Sequence, residues 1–192
     1  MGGEGRVTFL RGGWGKIAAA ASLSFAAAAW KPKLIINIGT CGGFRGRVEK
    51  GDWIVVRRAV VYDIVEAMGD SDDAVEAMST SFDLGWLPES LPQPARIATI
   101  ASGDREIQPL ELDRLHEKYG AVVGDWESGS IAWVSTQLGV RCLILRGVSD
   151  LVGRDGGEAY EDGGETFLQG VEQVFRSILP NLEDWIRIAQ PT

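Results

Sequence analysis

Two nearly unbroken apolar runs constrain the fold of this chain more than any other feature. The first is LIINI at residues 34–38, which is followed at once by glycines, and the second is CLILRGVSDL at 142–151. Runs of this kind are typical of strands with both faces buried, as in a parallel sheet covered by helices. The two runs therefore favour an α/β protein.

The segments around these runs alternate between strand and helix patterns. Strands are predicted at residues 52–65, 95–102 and 121–125, and helices at 16–30, 110–120, 127–139 and 166–179. With 192 residues, of which 45% are hydrophobic, the chain has enough apolar surface for one core. We therefore predict a single-domain three-layer α/β/α fold with a central mixed sheet over residues 1–192.

Two segments have the composition of solvated loops. Residues 66–94 are acidic and then Pro-rich, and residues 153–165 contain mostly glycine and acidic side chains. The second segment begins three residues after Asp150, so it is placed to close over a ligand bound there.

Charge and cysteine content exclude several classes of function. The 19 basic and 27 acidic residues give a net charge of −8, which disfavours nucleic acid and anionic membranes as partners. The Ala-rich window at 17–30 is too short and too weakly apolar to span a bilayer. Two cysteines, Cys41 and Cys142, and one histidine are too few for a zinc site, so we expect no metal, no cofactor and a reducing, cytoplasmic location.

Polar or glycine-rich positions follow three of the predicted strands. Thr40 lies in the glycine cluster after residue 38, Glu127 lies where residues 121–125 pass into a helix, and Asp150 ends the last apolar run. Ligands of α/β sheets bind beyond the carboxyl ends of the strands, so these positions predict one site. Each also has a simpler interpretation, namely a tight turn, a helix-dipole acid and a helix N-cap respectively.

The order of five motifs adds a family resemblance. They are INIGTCGGF (36–44), KGDWIVV (50–56), SGD (102–104) with Ile107 beyond it, GDWESGSIAWV (124–134) and LRGVSDLV (145–152). Together they resemble the nucleoside phosphorylase and hydrolase superfamily, and most closely its 5'-methylthioadenosine/S-adenosylhomocysteine nucleosidases. The segment GGWGKIAAA (12–20) is similar to the turn and helix that precede the family's Gly-rich strand.

The resemblance implies a hydrolase that releases adenine from purine nucleosides and assigns roles to individual residues. Glu127 would accept hydrogen bonds from the ribose hydroxyls, and Asp150 would protonate N7 of the leaving purine. The other substrate-binding positions implied are Thr40, Cys41 and Gly42 along sugar and base, Trp126 on the sugar, Glu106 and Ile107 beside the purine, and Ser149. Trp126 and Glu106 depart from the family pattern, which usually has Met and an aromatic residue there.

Residue chemistry supports the role of Asp150 independently. Cleavage of an N-glycosidic bond pushes negative charge into the base, and a proton delivered to the base removes that charge. An acid that keeps its proton at neutral pH must be desolvated, because the ordinary pKa of aspartic acid is about 3.9. The apolar strand around Asp150 predicts such desolvation.

Two alternatives remain. The first is a phosphorylase. Related phosphorylases carry an Arg two residues before the first glycine of the Gly-rich loop, where this chain has Asn37, so water is the favoured nucleophile. Arg11 or a neighbouring subunit would still be able to hold phosphate.

The second alternative is an inactive nucleoside-binding relative. The family usually opens with a further strand and a Glu-bearing loop that positions the water, and this chain begins after them. The resemblance also implies a homo-oligomer, with a dimer favoured.

Overall fold

The computed structural model describes residues 6–190, and over this range it contains six α-helices and seven β-strands. The helices are α1 (Gly15–Trp30), α2 (Ser71–Met78), α3 (Leu112–Tyr119), α4 (Ser128–Gln137), α5 (Glu165–Ile178) and α6 (Leu182–Ala189). The strands are β1 (Leu34–Phe44), β2 (Trp53–Val61), β3 (Thr80–Ser81), β4 (Arg96–Ser102), β5 (Ala121–Asp125), β6 (Arg141–Gly153) and β7 (Gly156–Gly157).

The strands form one mixed sheet in the order β3-β2-β4-β5-β1-β6-β7. β2, β4 and β5 run parallel to one another, as do β1 and β6, while β1 meets β5 antiparallel. The predicted α/β fold with a mixed sheet is confirmed. β2 also pairs antiparallel with β6, so the sheet curves round and closes on itself, a feature that strand patterns alone do not predict.

Helices cover the sheet on two sides. α1 and α4 bury Leu23 and Ile131 against one apolar cluster of the sheet, which includes Ile144. α5 and α6 bury Val174 and Trp185 against a second cluster on the other side. None of the helices within residues 6–190 has the length and apolar character needed to cross a membrane.

Two details differ from the sequence-based expectations. The run at 34–38 is only half-buried, because within residues 6–190 β1 pairs with β5 at Gly42 and Gly43 alone and leaves the edge beside this run open. Residues 66–94 were predicted to be a solvated loop, but they include α2 and β3 and pack Trp86 and Leu91 against the second cluster.

A β-bulge near the carboxyl end of β6 positions the predicted acid. Cys41 pairs with Val148 and Gly42 pairs with Asp150, so Ser149 is the extra residue of the bulge. In a regular ladder without the bulge, Gly42 would pair with Ser149, and the side chains of Ser149 and Asp150 would each lie on the opposite face of the sheet. The bulge therefore decides which side chain points toward the glycine loop.

Gly170 of α5 supports the bulge from behind. A methyl group at this position would lie 2.1 Å from the carbonyl oxygen of Ser149, a contact that only movement of the backbone would relieve. We expect Gly170→Ala to lower the free energy of unfolding by about 1–3 kcal/mol, the usual cost of overpacking, in urea denaturation. Gly12→Ala is the control, because no atom lies within 4 Å of the added methyl. Equal stability of the two variants would contradict this account.

Candidate active site

Asp150 is buried in β6 and lies opposite the glycine loop. Asp150 is only 6% exposed. Its Oδ2 lies 3.6 Å from the position that a Cβ added to Gly42 would occupy. It forms no ion pair within residues 6–190 and caps no helix, because β6 continues to Gly153. The N-cap interpretation of Asp150 is therefore wrong.

Ser149 provides the polar partner of this acid. Its Oγ lies 2.6 Å from Asp150 Oδ1 and 3.3 Å from the carbonyl oxygen of Cys41. The hydroxyl can donate to the ionised carboxylate, or donate to the carbonyl oxygen of Cys41 and accept a hydrogen bond from the neutral acid. Both protonation states of Asp150 are thus satisfied, which is what a group that gives and regains a proton requires.

Burial raises the pKa of Asp150 above its ordinary value, as predicted. The Ser149 hydroxyl acts in the opposite direction, while the nearby Glu158 carboxylate raises the pKa further and Lys50 lowers it. Desolvation therefore outweighs the one strong hydrogen bond, and the proton is held more tightly than in an exposed aspartic acid.

The other predicted contacts of the base lie around the same strand ends. Thr40, Cys41 and Gly42 run beside residues 147–150 of β6, and Gly42 also pairs with Gly124 of β5. Ile107 lies against Gly124, where a Cβ would be 2.1 Å from Ile107 Cδ1. The structure therefore brings Ile107, Gly42 and Asp150 together.

Glu106 is exposed, and it lies near a tyrosine that the sequence did not single out. Although Tyr160 is 62% exposed, partial desolvation of its hydroxyl raises its pKa to about 12, and the Glu106 and Asp150 carboxylates contribute to the shift. Tyr160 thus lies near both acids. Tyr160 lies in the segment 153–165, which was predicted to close over the ligand. A tyrosine in this segment does not by itself predict that its ring lies near Glu106 and Asp150.

Glu127 contacts a different helix from the one that its position suggests. It is the N-cap residue of α4 but makes no capping bond there, and its Oε1 instead accepts from the backbone N–H of Gly15 at 2.9 Å. Burial and the Asp125 carboxylate raise the pKa of Glu127, while the Gly15 N–H lowers it. Glu127 also forms no ion pair within residues 6–190, so one carboxylate oxygen is available to a ligand.

The two tryptophans next to Gly15 and Glu127 stack on each other. The ring centroids of Trp14 and Trp126 are 5.4 Å apart at an interplanar angle of 22°. Trp14 is 78% exposed, whereas Trp126 is half-buried. The pair therefore forms an aromatic wall beside Glu127, with Trp126 on the inner side.

A buried ion pair between Asp125 and Arg146 was missed in the sequence. Arg146 Nε lies 2.7 Å from Asp125 Oδ2, and the two side chains are 2% and 3% exposed. Asp125 also accepts from the backbone N–H and hydroxyl of Ser128, so it caps α4 in place of Glu127. An arginine inside an apolar strand was the available signal, because a charge there needs a buried partner.

The segment 153–165 is tied to the strands and is not a free loop. β7 pairs with the end of β6, and Glu158 accepts from Arg45 Nη2 at 2.6 Å, from Lys50 Nζ at 3.1 Å and from the Leu151 N–H at 3.2 Å. Burial alone would raise the pKa of Glu158, but the bonds from Arg45 and Lys50 lower it overall. The prediction of a solvated loop is therefore wrong for residues 156–160.

None of the predicted site residues lines the cavity of about 790 Å³ that lies between the β1–β2 turn, residues 109–116 and residues 153–155. Across residues 6–190, no group of three or more His, Cys, Asp and Glu side chains is arranged to hold a metal ion. The strand ends around Asp150 and Glu127, which the sequence predicts as the active site, therefore lie outside this cavity.

Comparison with known proteins gives consistent matches over most of the chain. The family model of the phosphorylase superfamily matches residues 2–180. A 5'-methylthioadenosine/S-adenosylhomocysteine nucleosidase from Geobacillus sp. (strain WCH70) is 26% identical over 189 residues, covering 92% of this chain and 82% of the relative.

Solved structures match as well. The 5'-methylthioadenosine nucleosidase of Arabidopsis thaliana in apo form has a TM-score of 0.76 at 25% identity, covering 93% of this chain and 71% of that one. The futalosine hydrolase of Helicobacter pylori strain 26695 has a TM-score of 0.69 at 17% identity, covering 90% and 77%. The latter match shows a shared fold.

The buried ion pair permits a test of how the site is held together. Removing one partner leaves an uncompensated buried charge, so we expect Arg146→Met and Asp125→Asn each to lower the free energy of unfolding by about 3–5 kcal/mol. The double variant should lose less than the sum of the two, measured by urea denaturation. Arg176→Met, which breaks an exposed pair with Glu172, should leave stability unchanged. Additive losses would show that the two charges are not coupled.

Proposed function

The chain belongs to the phosphorylase superfamily, and we propose that it is a purine nucleosidase that hydrolyses 5'-methylthioadenosine, S-adenosylhomocysteine or closely similar nucleosides. The names of the bacterial and plant relatives support this substrate class. The observation that carries the proposal is the buried Asp150, which has a raised pKa, no ion-pair partner within residues 6–190 and a hydroxyl that satisfies both of its protonation states.

In the proposed reaction, the bond between C1' of the ribose and N9 of the purine breaks, and its electron pair moves into the base. Asp150 delivers a proton to N7, so adenine leaves as a neutral molecule. The oxygen of a water molecule bonds to C1' and releases a proton to solvent, and Asp150 regains a proton from solvent. The products are free adenine and the 5'-substituted ribose.

Glu127 suits the sugar because an ionised carboxylate only accepts hydrogen bonds. Its Oε1 is occupied by the Gly15 N–H, which leaves Oε2 for a ribose hydroxyl. The half-buried ring of Trp126 adjoins this carboxylate and offers an apolar surface to the sugar face. Thr40, Cys41, Gly42, Glu106 and Ile107 remain the proposed contacts of sugar and base.

The charge of the site favours water over phosphate as the nucleophile. The Arg146 guanidinium lies beside the glycine loop, with Nη1 3.0 Å from the Cβ position of Gly39, but Asp125 neutralises it. Glu127 adds a negative charge nearby. A phosphate dianion needs uncompensated positive charge, which this arrangement does not supply.

The reaction is tested by incubating the protein with 5'-methylthioadenosine, inosine and a nucleoside with a bulky 5' group, with and without phosphate, and measuring the free base by chromatography. We expect adenine release from 5'-methylthioadenosine that does not depend on phosphate. Release that requires phosphate would identify a phosphorylase. Binding without release would identify an inactive relative.

Asp150→Asn should lower kcat by about 10²–10⁴-fold and leave nucleoside binding, measured by calorimetry, nearly unchanged. Because Asp150 acts in its protonated form, the wild-type rate should fall as pH rises through its raised pKa, and the variant should lack this limb. Asp155→Asn, an exposed acid five residues away, is the control and should behave as wild type. An unchanged kcat in Asp150→Asn would eliminate the proposed role.

A homodimer is the proposed assembly. Between Lys16 and Lys31, α1 carries no charged residue, and its outer face exposes Ile17 (84%) and Phe25 (60%). A helix that is apolar on all sides is normally covered by protein. The free, buried thiols of Cys41 and Cys142 suit the reducing cytoplasm that we propose as its location.

Sedimentation equilibrium should give twice the mass of one chain. Phe25→Asp on the outer face of α1 should shift the protein to the monomer, because it buries a charge in the contact. Leu168→Asp on α5, which is 66% exposed on the opposite layer, should leave the dimer intact. A wild-type monomer, or dissociation only with Leu168→Asp, would contradict the proposed interface.

A further inference from the structure

The N-terminus of α1 is held by carboxylates from distant parts of the chain. Its N-cap residue Trp14 makes no side-chain capping bond. Instead, Glu127 Oε1 accepts from the N–H of Gly15 at 2.9 Å, and Asp104 Oδ1 accepts from the N–H of Lys16 at 2.8 Å. The free N–H groups at the start of a helix bind anions. Here the anions are the carboxylates of two acids that follow strands.

Lys16 strengthens this connection with its side chain. Its Nζ lies 2.7 Å and 2.9 Å from the two carboxylate oxygens of Asp63, which follows β2. Asp63 Oδ2 also accepts from the N–H of Asp104 at 2.9 Å. The side chains of Lys16 and Asp63 are 24% and 12% exposed, so the pair is largely shielded from solvent screening.

The backbone of the GGWGK segment is shaped for this contact. Gly13 and Gly15 have φ angles of 86° and 80°, a region that favours glycine. The N–H groups of Gly15 and Lys16 and the ammonium group of Lys16 are all engaged by carboxylates. The segment therefore does not offer the open cradle of a phosphate-binding loop.

We infer that Lys16 and Asp63 are positioning residues for the ribose-binding carboxylate of Glu127. Their ion pair fixes the start of α1 over the ends of β2 and β4, which aims the Gly15 N–H at Glu127 Oε1. With Oε1 held, Oε2 faces the ribose in a fixed orientation. This inference rests on the proposed function, because it concerns how Glu127 meets the sugar.

The Lys16–Asp63 pair should affect recognition of the ribose hydroxyls specifically, because a carboxylate held in one orientation contributes more to binding than a mobile one. A nucleoside that lacks the ribose hydroxyl forms no hydrogen bond with Glu127, so the orientation of this carboxylate does not change its binding. Loss of the Lys16–Asp63 pair should therefore weaken recognition of the ribose hydroxyls and leave a deoxy substrate almost unaffected.

The experiment compares kcat and KM for 5'-methylthioadenosine and its 2'-deoxy and 3'-deoxy analogues in wild type and Lys16→Met. We expect the wild type to prefer the ribose form, and Lys16→Met to reduce that preference about tenfold, which corresponds to ~1.4 kcal/mol, chiefly through KM. Lys16→Arg should retain most of the preference. Lys118→Met, the same change in the exposed pair with Asp72, should retain all of it.

Asp63→Asn keeps an acceptor for the Asp104 N–H and guards against misfolding of the first variant. It should reduce the preference in the same direction by a smaller factor. Thermal unfolding of each variant establishes that it is folded. An equal loss of kcat/KM for ribose and deoxyribose substrates in folded Lys16→Met, with the preference unchanged, would overturn the inference.

Failure of the proposed function gives a different result. If the wild type releases no base from any nucleoside, the proposed reaction fails, and the preference is then measured as the ratio of dissociation constants by calorimetry. A preference for the ribose form that falls in Lys16→Met supports the positioning role without turnover. A ratio that does not change between wild type and Lys16→Met overturns it.

Discussion

The parallel pairing of β1 with β6 is the constraint on which the site depends. It runs from the pair Leu34 and Arg141 to the pair Phe44 and Val152, and its single irregularity is the bulge at Ser149. Because side chains alternate across a strand, this one extra residue decides which face receives the carboxylate of Asp150. α5 packs against the same bulge through Gly170, so the packing of a helix and the orientation of the acid are coupled.

The charged side chains of the site are of two kinds, those in a buried ion pair and those without an ion-pair partner. Arg146 and Asp125 compensate each other and are further bonded by Ser128, so they form a neutral, rigid base beneath the strand ends. Asp150 and Glu127 form no ion pair within residues 6–190, and burial raises both pKa values. Unpaired buried acids reduce stability at neutral pH, where ionisation is favoured in the unfolded chain, and such a cost is characteristic of functional sites.

Segments distant in sequence complete the site at the start of α1. The helix has an apolar sequence on all sides, and its first N–H groups are bonded to acids that follow β4 and β5. The apolar side chains along α1 thus serve packing, whereas the N–H groups at its start hold carboxylates of the site. The N–H groups of Gly15 and Lys16 in the GGWGK segment are therefore already bonded to carboxylates of the chain itself.

The sequence by itself determined the α/β class, the strand and helix segments around the motifs, and the family, because apolar periodicity and motif order are local properties. It also marked Asp150 and Glu127. Only the tertiary structure decided that the sheet closes through β2 and β6, that Asp125 rather than Glu127 caps α4, and that Arg146 has a buried partner. These outcomes depend on register and on contacts between residues far apart in the chain, and a side chain's local sequence does not specify which distant group will satisfy it.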